Sequence, residues 1–279
     1  MKKLNSSINL KALGVHLGIG FLFALLSLAV FYPLLQGKQL FQSDTAQYSG
    51  MARQLQESRQ DNDEELYWID NAFGGMPTYQ LGAKYPNDIL TPLHKVFRLL
   101  PHPSYLLFLY LIGAYVFLLS IGQEKKYAIL GALAYGLSTY LLIIIQVGHN
   151  TKAQALGYLP FVFAAIHYIF SKKSLWGIVF GAIAMGLQIR ANHYQMTYYM
   201  LLLMALYVGF QAWQYYQSKE FKTFYYASLR LIIAGGMAIA LNATSLLATA
   251  EYTQFSTRGE NELTLDSNGL PSEQGSGLT

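Results

Sequence analysis

The sequence contains no cysteine in 279 residues. Disulfide bridges and thiolate-bound zinc or iron–sulfur centres are therefore excluded. The chain also lacks the HExxH spacing of zinc proteases, the GxxxxGK loop that holds nucleotide phosphates and the GxSxG turn of serine hydrolases. Neither cytoplasmic nucleotide chemistry nor a metal has support from spacing, although scattered carboxylates leave room for a divalent cation.

Charge is scarce as well, because only 12% of the residues are charged while 53% are hydrophobic. The apolar residues fall into about seven blocks, each near the length that crosses about 30 Å of hydrocarbon as a helix. We therefore predict an all-α integral membrane protein, a bundle of about seven transmembrane helices. The predicted spans are Ala12–Leu35, Tyr105–Ile121, Tyr127–Val147, Ala153–Phe170, Leu175–Ile189, Gln195–Gln211 and Tyr226–Leu247.

The distribution of charge predicts the orientation of these spans. We read the first span as an uncleaved signal-anchor, because its apolar run is too long for a signal peptide and no convincing cleavage site follows it. With the amino terminus in the cytoplasm, the cytoplasmic segments hold ten basic residues and two acidic ones. The ten are Lys2, Lys3, Lys11, Lys125, Lys126, Lys172, Lys173, Lys219, Lys222 and Arg230.

This orientation predicts a multi-pass inner-membrane protein with its amino terminus in the cytoplasm. Its transmembrane domain covers residues 1–247, and its extracytoplasmic tail covers residues 248–279. The positive charge serves membrane insertion, so it does not indicate nucleic-acid binding, and membrane lipids are the expected surroundings.

The first extracytoplasmic loop, residues 36–104, is too long for a simple connection and is expected to be functional. Apolar residues at helical spacing predict surface helices over Thr45–Gln56 and Asp88–Leu100. Asp44 stands just before the first of these helices. It could cap that helix, or it could accept a proton from a hydroxyl or hold a divalent cation.

Further polar residues gather at the extracytoplasmic ends of the spans. Asp70 lies in an aromatic stretch with a Gly-Gly pair, typical of a shaped ligand loop or of an interfacial anchor. Two other turns carry donors suited to a phosphate, although wetted helix ends and snorkelling would give the same residues. These donors are His149, Asn150, Lys152, Arg190 and His193.

Four short motifs resemble the YfhO-type bacterial membrane proteins of the GT-C class of glycosyltransferases. They are Phe41–Tyr48, Phe73–Tyr79, Gly148–Ala153 and Asn192–Gln195. The resemblance implies transfer of a sugar from a polyprenyl-phosphate carrier to an extracytoplasmic cell-envelope glycan or protein acceptor.

By the same resemblance, Asp44 is the catalytic base and Asp70 its substitute. His149, Lys152, Arg190 and His193 would steady the carrier phosphate, with Asn150 in the same turn. Members of this family are usually longer, so we expect the chain to be an amino-terminal fragment.

Two other functions stay open. A transporter or flippase for a lipid-linked saccharide should show inverted repeats and buried charges at mid-membrane, and neither is clear in this sequence. A non-catalytic membrane assembly protein would use the first loop to bind a partner.

Overall fold

A computed structural model describes residues 10–255 except 62, 87, 173 and 254. In this part of the chain the fold is helical apart from one hairpin of two-residue strands, Trp68–Ile69 and Met76–Pro77. The predicted all-α class is confirmed for the described residues. The helices are α1 Leu10–Val30, α2 Ser43–Met51, α3 Arg53–Asp61, α4 Leu90–Phe97, α5 Ser104–Ser120, α6 Lys125–Gly136, α7 Thr139–Val147, α8 Asn150–Ser171, α9 Trp176–Arg190, α10 Tyr194–Gln217, α11 Phe221–Leu241 and α12 Ala243–Thr253.

Membrane-spanning capacity is clear for some helices and not for all. Among the described residues, α1, α8, α10 and α11 are long and apolar enough to cross a bilayer, and the bent pair α6 and α7 would make a fifth span. The helices α5 and α9 are apolar but have only 17 and 15 residues. Length and composition thus support four or five spans, and the count of seven stays a prediction.

Two predicted spans are interrupted. The segment predicted as Tyr127–Val147 bends by 46° between α6 and α7, because Ser138 adopts an extended conformation at the start of α7. In the segment predicted as Tyr226–Leu247, α11 ends at Leu241, and Asn242 separates α11 from α12. The Asn242 amide donates to the carbonyl oxygen of Gly186 at 3.1 Å, so the break is fastened to α9.

Packing centres on α5, which contacts α1, α6 and α8, while α9 joins α8 to α11. Glycines allow the closest approaches between these helices. A Cβ atom added to Gly113 of α5 would lie 2.8 Å from the carbonyl oxygen of Gly157 of α8. One added to Gly181 of α9 would lie 2.9 Å from the Cβ of Ala234 of α11. Small residues at these positions therefore allow the helices to pack closely.

The long first loop is a folded unit. The predicted helix over Thr45–Gln56 is in fact two helices, α2 and α3, which are separated at Ala52. Behind them lies a small hydrophobic core of Leu55, Ile69 and Leu81, all buried. Because these apolar side chains pack against one another, this part of the loop holds its shape through its own packing.

The loop rests on one end of the bundle, here called the loop end. The Gln42 amide donates to the carbonyl oxygen of Ile145 at 2.5 Å, which fixes the start of α2 to the end of α7. The Asn192 amide donates to the carbonyl oxygen of Tyr79 at 3.2 Å, and Gln80 reaches Thr249 of α12 at 3.4 Å. The segments predicted to share one side of the membrane therefore meet at one end of the molecule.

Candidate functional site

The centre of the candidate site is a contact between Asp44 and His149. Atom Nδ1 of His149 lies 2.8 Å from Oδ2 of Asp44, and both side chains are partly exposed. The sequence allowed Asp44 to cap α2, but Gln42 is the residue at the cap position and no side chain caps this helix. The carboxylate instead holds an imidazole whose Nε2 atom is left for other partners, an arrangement suited to proton transfer.

The pair forms because two turns approach each other closely at Gly148. This residue has a φ of +95° and ends α7 in the left-handed conformation. A Cβ atom added there would lie 2.9 Å from the Cβ of Gln42 and 3.0 Å from Oγ1 of Thr45. Only glycine meets both demands, so the turn before His149 fits directly against the turn that carries Asp44.

A network of hydrogen-bonded polar side chains joins these two turns. Gln42 is buried, and its Oε1 accepts a hydrogen bond from the Thr45 hydroxyl at 2.9 Å and lies 2.9 Å from Nε2 of His102. The Asn150 amide in turn donates to the Thr45 hydroxyl at 3.2 Å. Burial, assisted by the charge of Arg98, lowers the pKa of His102. Asn150 is thus a positioning residue in this structure.

Sequence reasoning overlooked Gln42 and His102 in this network. Gln42 lies within the Phe41–Tyr48 motif, so the motif itself was a signal. His102 lies between two prolines, and only the folded loop brings it to the site.

His193 lies close enough to Lys152 and to His149 for their charges to act on it. The Lys152 ammonium lies 5.4 Å from the centre of the Tyr140 ring. Burial lowers the pKa of His193, and the positive charges of Lys152 and His149 act in the same direction. Nδ1 of His193 accepts a hydrogen bond from the Met196 amide at 3.3 Å and caps α10, which leaves its Nε2 atom outside that bond.

Arg190 is engaged elsewhere. Its Nε donates to Oδ2 of Asp88 at 3.1 Å, and its NH2 group donates to the Thr91 hydroxyl at 2.6 Å. Asp88 also caps α4 by accepting from the backbone amides of Leu90 and Thr91. Burial raises the pKa of Asp88, but the Thr91 hydrogen bond and the Arg190 charge outweigh it and hold this pKa below its usual value. The helix predicted over Asp88–Leu100 is present, with Asp88 as its cap.

Asp70 has hydrogen-bond partners that differ from those of Asp44. Its carboxylate accepts a hydrogen bond from the Trp68 indole at 3.0 Å, and its backbone amide donates to Gln54 at 2.7 Å. None of these partners contacts Asp44 in the described residues, so the structure does not join the two candidate carboxylates at one point.

A divalent cation finds few ligands at this site. Within residues 10–255, apart from the gaps given above, no three histidine, aspartate or glutamate side chains are grouped as metal ligands. Asp44 and His149 supply two such side chains, and the described residues bring no third one to them.

Comparisons with protein-family models, curated proteins and solved structures give no match to this chain.

Proposed function

We propose that the protein is a multi-pass membrane glycosyltransferase. In this proposal it transfers a sugar from a polyprenyl-phosphate carrier to an acceptor in the cell envelope. It lies in the bacterial inner membrane with its amino terminus in the cytoplasm and its loop end outside. The carrying observation is the contact of 2.8 Å between Asp44 and His149 at the end of a bundle of apolar helices.

Exposure of apolar surface supports the membrane part of this proposal. The most apolar part of α10 is only 6% buried in the bundle, and that of α11 is 17% buried. Leu202, Leu206 and Ile232 on these helices are about half exposed or more. An apolar surface of this extent is unfavourable in water, whereas hydrocarbon chains would cover it.

The chemistry assigned to the site is base catalysis. The acceptor hydroxyl must lose its proton as it attacks the anomeric carbon of the donor sugar. In the proposed reaction Asp44 holds Nδ1–H of His149, so the pair accepts that proton and the carboxylate stabilises the imidazolium that forms. The carrier phosphate leaves with its bonding electrons, and the positive charge of Lys152 lowers the energy of that leaving group.

The test is transfer by purified protein in lipid nanodiscs. The substrate is a polyprenyl-phosphate sugar labelled in the sugar, offered with a cell-envelope fraction, and release of free polyprenyl phosphate is measured. We expect Asp44→Asn to lower the rate by about 100-fold or more, the usual contribution of a general base. Asp70→Asn tests the second carboxylate in the same assay.

Asp61→Asn provides the matched control, because Asp61 is an exposed carboxylate at the end of α3 in the same loop. It should leave transfer unchanged. If Asp44→Asn transfers sugar at the rate of Asp61→Asn, the enzymatic proposal fails. Movement of the intact lipid-linked sugar across the bilayer, without release of polyprenyl phosphate, would instead indicate the flippase.

A further inference from the structure

A groove of about 470 Å³ opens between α4, α5, α8 and α9. Its lining is apolar and includes Phe97, Val116, Phe161 and Leu187. The Tyr158 hydroxyl at its wall already lies 2.6 Å from Nδ1 of His94, so it has a partner within the protein. A volume of this size suits a ligand, and a mostly apolar lining suits a hydrocarbon rather than a polar molecule.

The dimensions of the groove favour a single chain. Its wall on α8 runs from Tyr158 to Tyr168, and ten helical residues rise about 15 Å. This is about half the thickness of the hydrocarbon core of a bilayer. A lipid with one chain fills such a groove, whereas a phospholipid with two chains would leave one of them outside.

An uncommitted cation stands beside the groove. Arg98 directly follows the groove residue Phe97, is exposed, and has its guanidinium 5.4 Å from the centre of the Tyr105 ring. It has no carboxylate partner in the described part of the chain. Arg190 differs, since Asp88 and Thr91 occupy its donors. Among the described arginines of residues 36–104 and of α9, Arg98 is therefore the one whose planar fork is available to a phosphate.

Arg98 also adjoins the polar network under the candidate site. The Tyr105 ring beneath its guanidinium lies 5.7 Å from the ring of His102. His102 in turn contacts Gln42 at 2.9 Å, and Gln42 precedes the Asp44 turn. A phosphate on Arg98 would therefore lie between the groove and the Asp44–His149 pair, which is where a lipid-linked substrate must place it.

We infer that the groove binds the hydrocarbon chain of a polyprenyl phosphate and that Arg98, not Arg190, binds its phosphate. This inference rests on the proposed function for the identity of the lipid. The groove, the free guanidinium and the path between them are properties of this chain. The single chain and the anionic end of the carrier match both features.

Direct binding of a polyprenyl phosphate to the nanodisc-reconstituted protein tests the inference. We expect Arg98→Gln to weaken binding by about tenfold or more, and Lys95→Gln, an exposed cation of the same helix, to change it by less than about twofold. Arg190→Gln should retain binding in protein that remains folded. Equal binding by wild type and Arg98→Gln would overturn the assignment of the phosphate.

Filling the groove tests the site of the chain. Ala184 lines the groove, and Ala184→Phe should weaken binding, whereas Ala205→Phe on the exposed face of α10 should not. If Ala184→Phe does not fold, Ala164→Leu fills the groove with a smaller side chain. Unchanged binding by a folded, filled variant contradicts the inference, as does equal competition by phosphatidylglycerol.

Asp44→Asn separates this inference from the proposed function. That variant should still bind the polyprenyl phosphate, because Asp44 contacts neither the groove nor Arg98. Binding that persists with no transfer in wild type would refute the reaction and leave the lipid site standing. Sugar transfer by wild type, together with equal lipid binding by wild type and Arg98→Gln, would support the reaction and refute the phosphate site.

Discussion

A Cβ atom added to Gly148 would lie 3.0 Å from Oγ1 of Thr45. This distance is shorter than ordinary contact, and the φ of +95° at Gly148 further disfavours any side chain. The Asp44–His149 pair therefore depends on a residue that takes no part in the chemistry.

We predict that Gly148→Ala lowers the free energy of unfolding by about 2 kcal/mol or more, because backbone strain and a close contact act together. Gly37→Ala is the matched control, since Gly37 has a φ of +76° but nothing within 4 Å of an added Cβ. Thermal unfolding in detergent compares the two. Equal losses of unfolding free energy in the two variants would mean that the two turns move apart to accept the added Cβ atom with no further loss of stability.

Acid should destabilise the fold through His94. Burial, with the charges of Arg190 and Arg98, lowers its pKa from 6.5 to about 4. The unfolded chain takes up this proton near pH 6.5 and the folded chain only near pH 4. The free energy of unfolding therefore decreases as the pH is lowered from about 6.5 to about 4. The full loss is about 3 kcal/mol. His94→Gln should flatten the pH dependence of unfolding, and an unchanged slope would contradict this origin.

The ion pair of Arg190 with Asp88 should be visible as coupling. Both side chains are about three-quarters buried, and Asp88 also caps α4. A double-mutant cycle with Arg190→Gln and Asp88→Asn should give about 1 to 2 kcal/mol of interaction in unfolding. Additive losses would show that the contact contributes nothing to the docking of α4.

Orientation can be tested cleanly because the chain has no cysteine of its own. Gln60→Cys places a thiol on the exposed surface of the first loop, and Ser218→Cys places one after α10. In intact spheroplasts a membrane-impermeant maleimide should label the first variant at once and the second only after lysis. The opposite pattern would place the Asp44–His149 pair in the cytoplasm.

The sequence was informative where simple physical rules apply. Hydrophobic blocks and the distribution of lysines predicted which segments meet, and the contact of Asp44 with His149 agrees with that grouping. Hydropathy could not detect the bend between α6 and α7, because both halves are apolar and form one continuous hydrophobic block. The Ser138–Thr139 pair inside an apolar run was the available signal, since serine favours the start of a helix.

The partner of Arg190 was the other omission. Asp88 lies 102 positions away, so no local pattern links it to Arg190. Sequence reasoning assigned Arg190 to a phosphate because its guanidinium can present a planar fork to a phosphoryl oxygen. Only the three-dimensional structure shows that α4 folds back to meet α9, and hence that Arg98 is the exposed alternative.

Leu55, Ile69 and Leu81 form a hydrophobic core that is built from residues of the first loop alone. Substitutions on the outside of residues 43–81 need not disturb membrane insertion, because the apolar side chains of this segment pack in a cluster apart from those of the bundle. The surface of this segment can therefore change in sequence while the apolar helices stay fixed. Such changes should leave the segment seated on the bundle, provided that Gln42 and Gly148 keep the contact between the two parts.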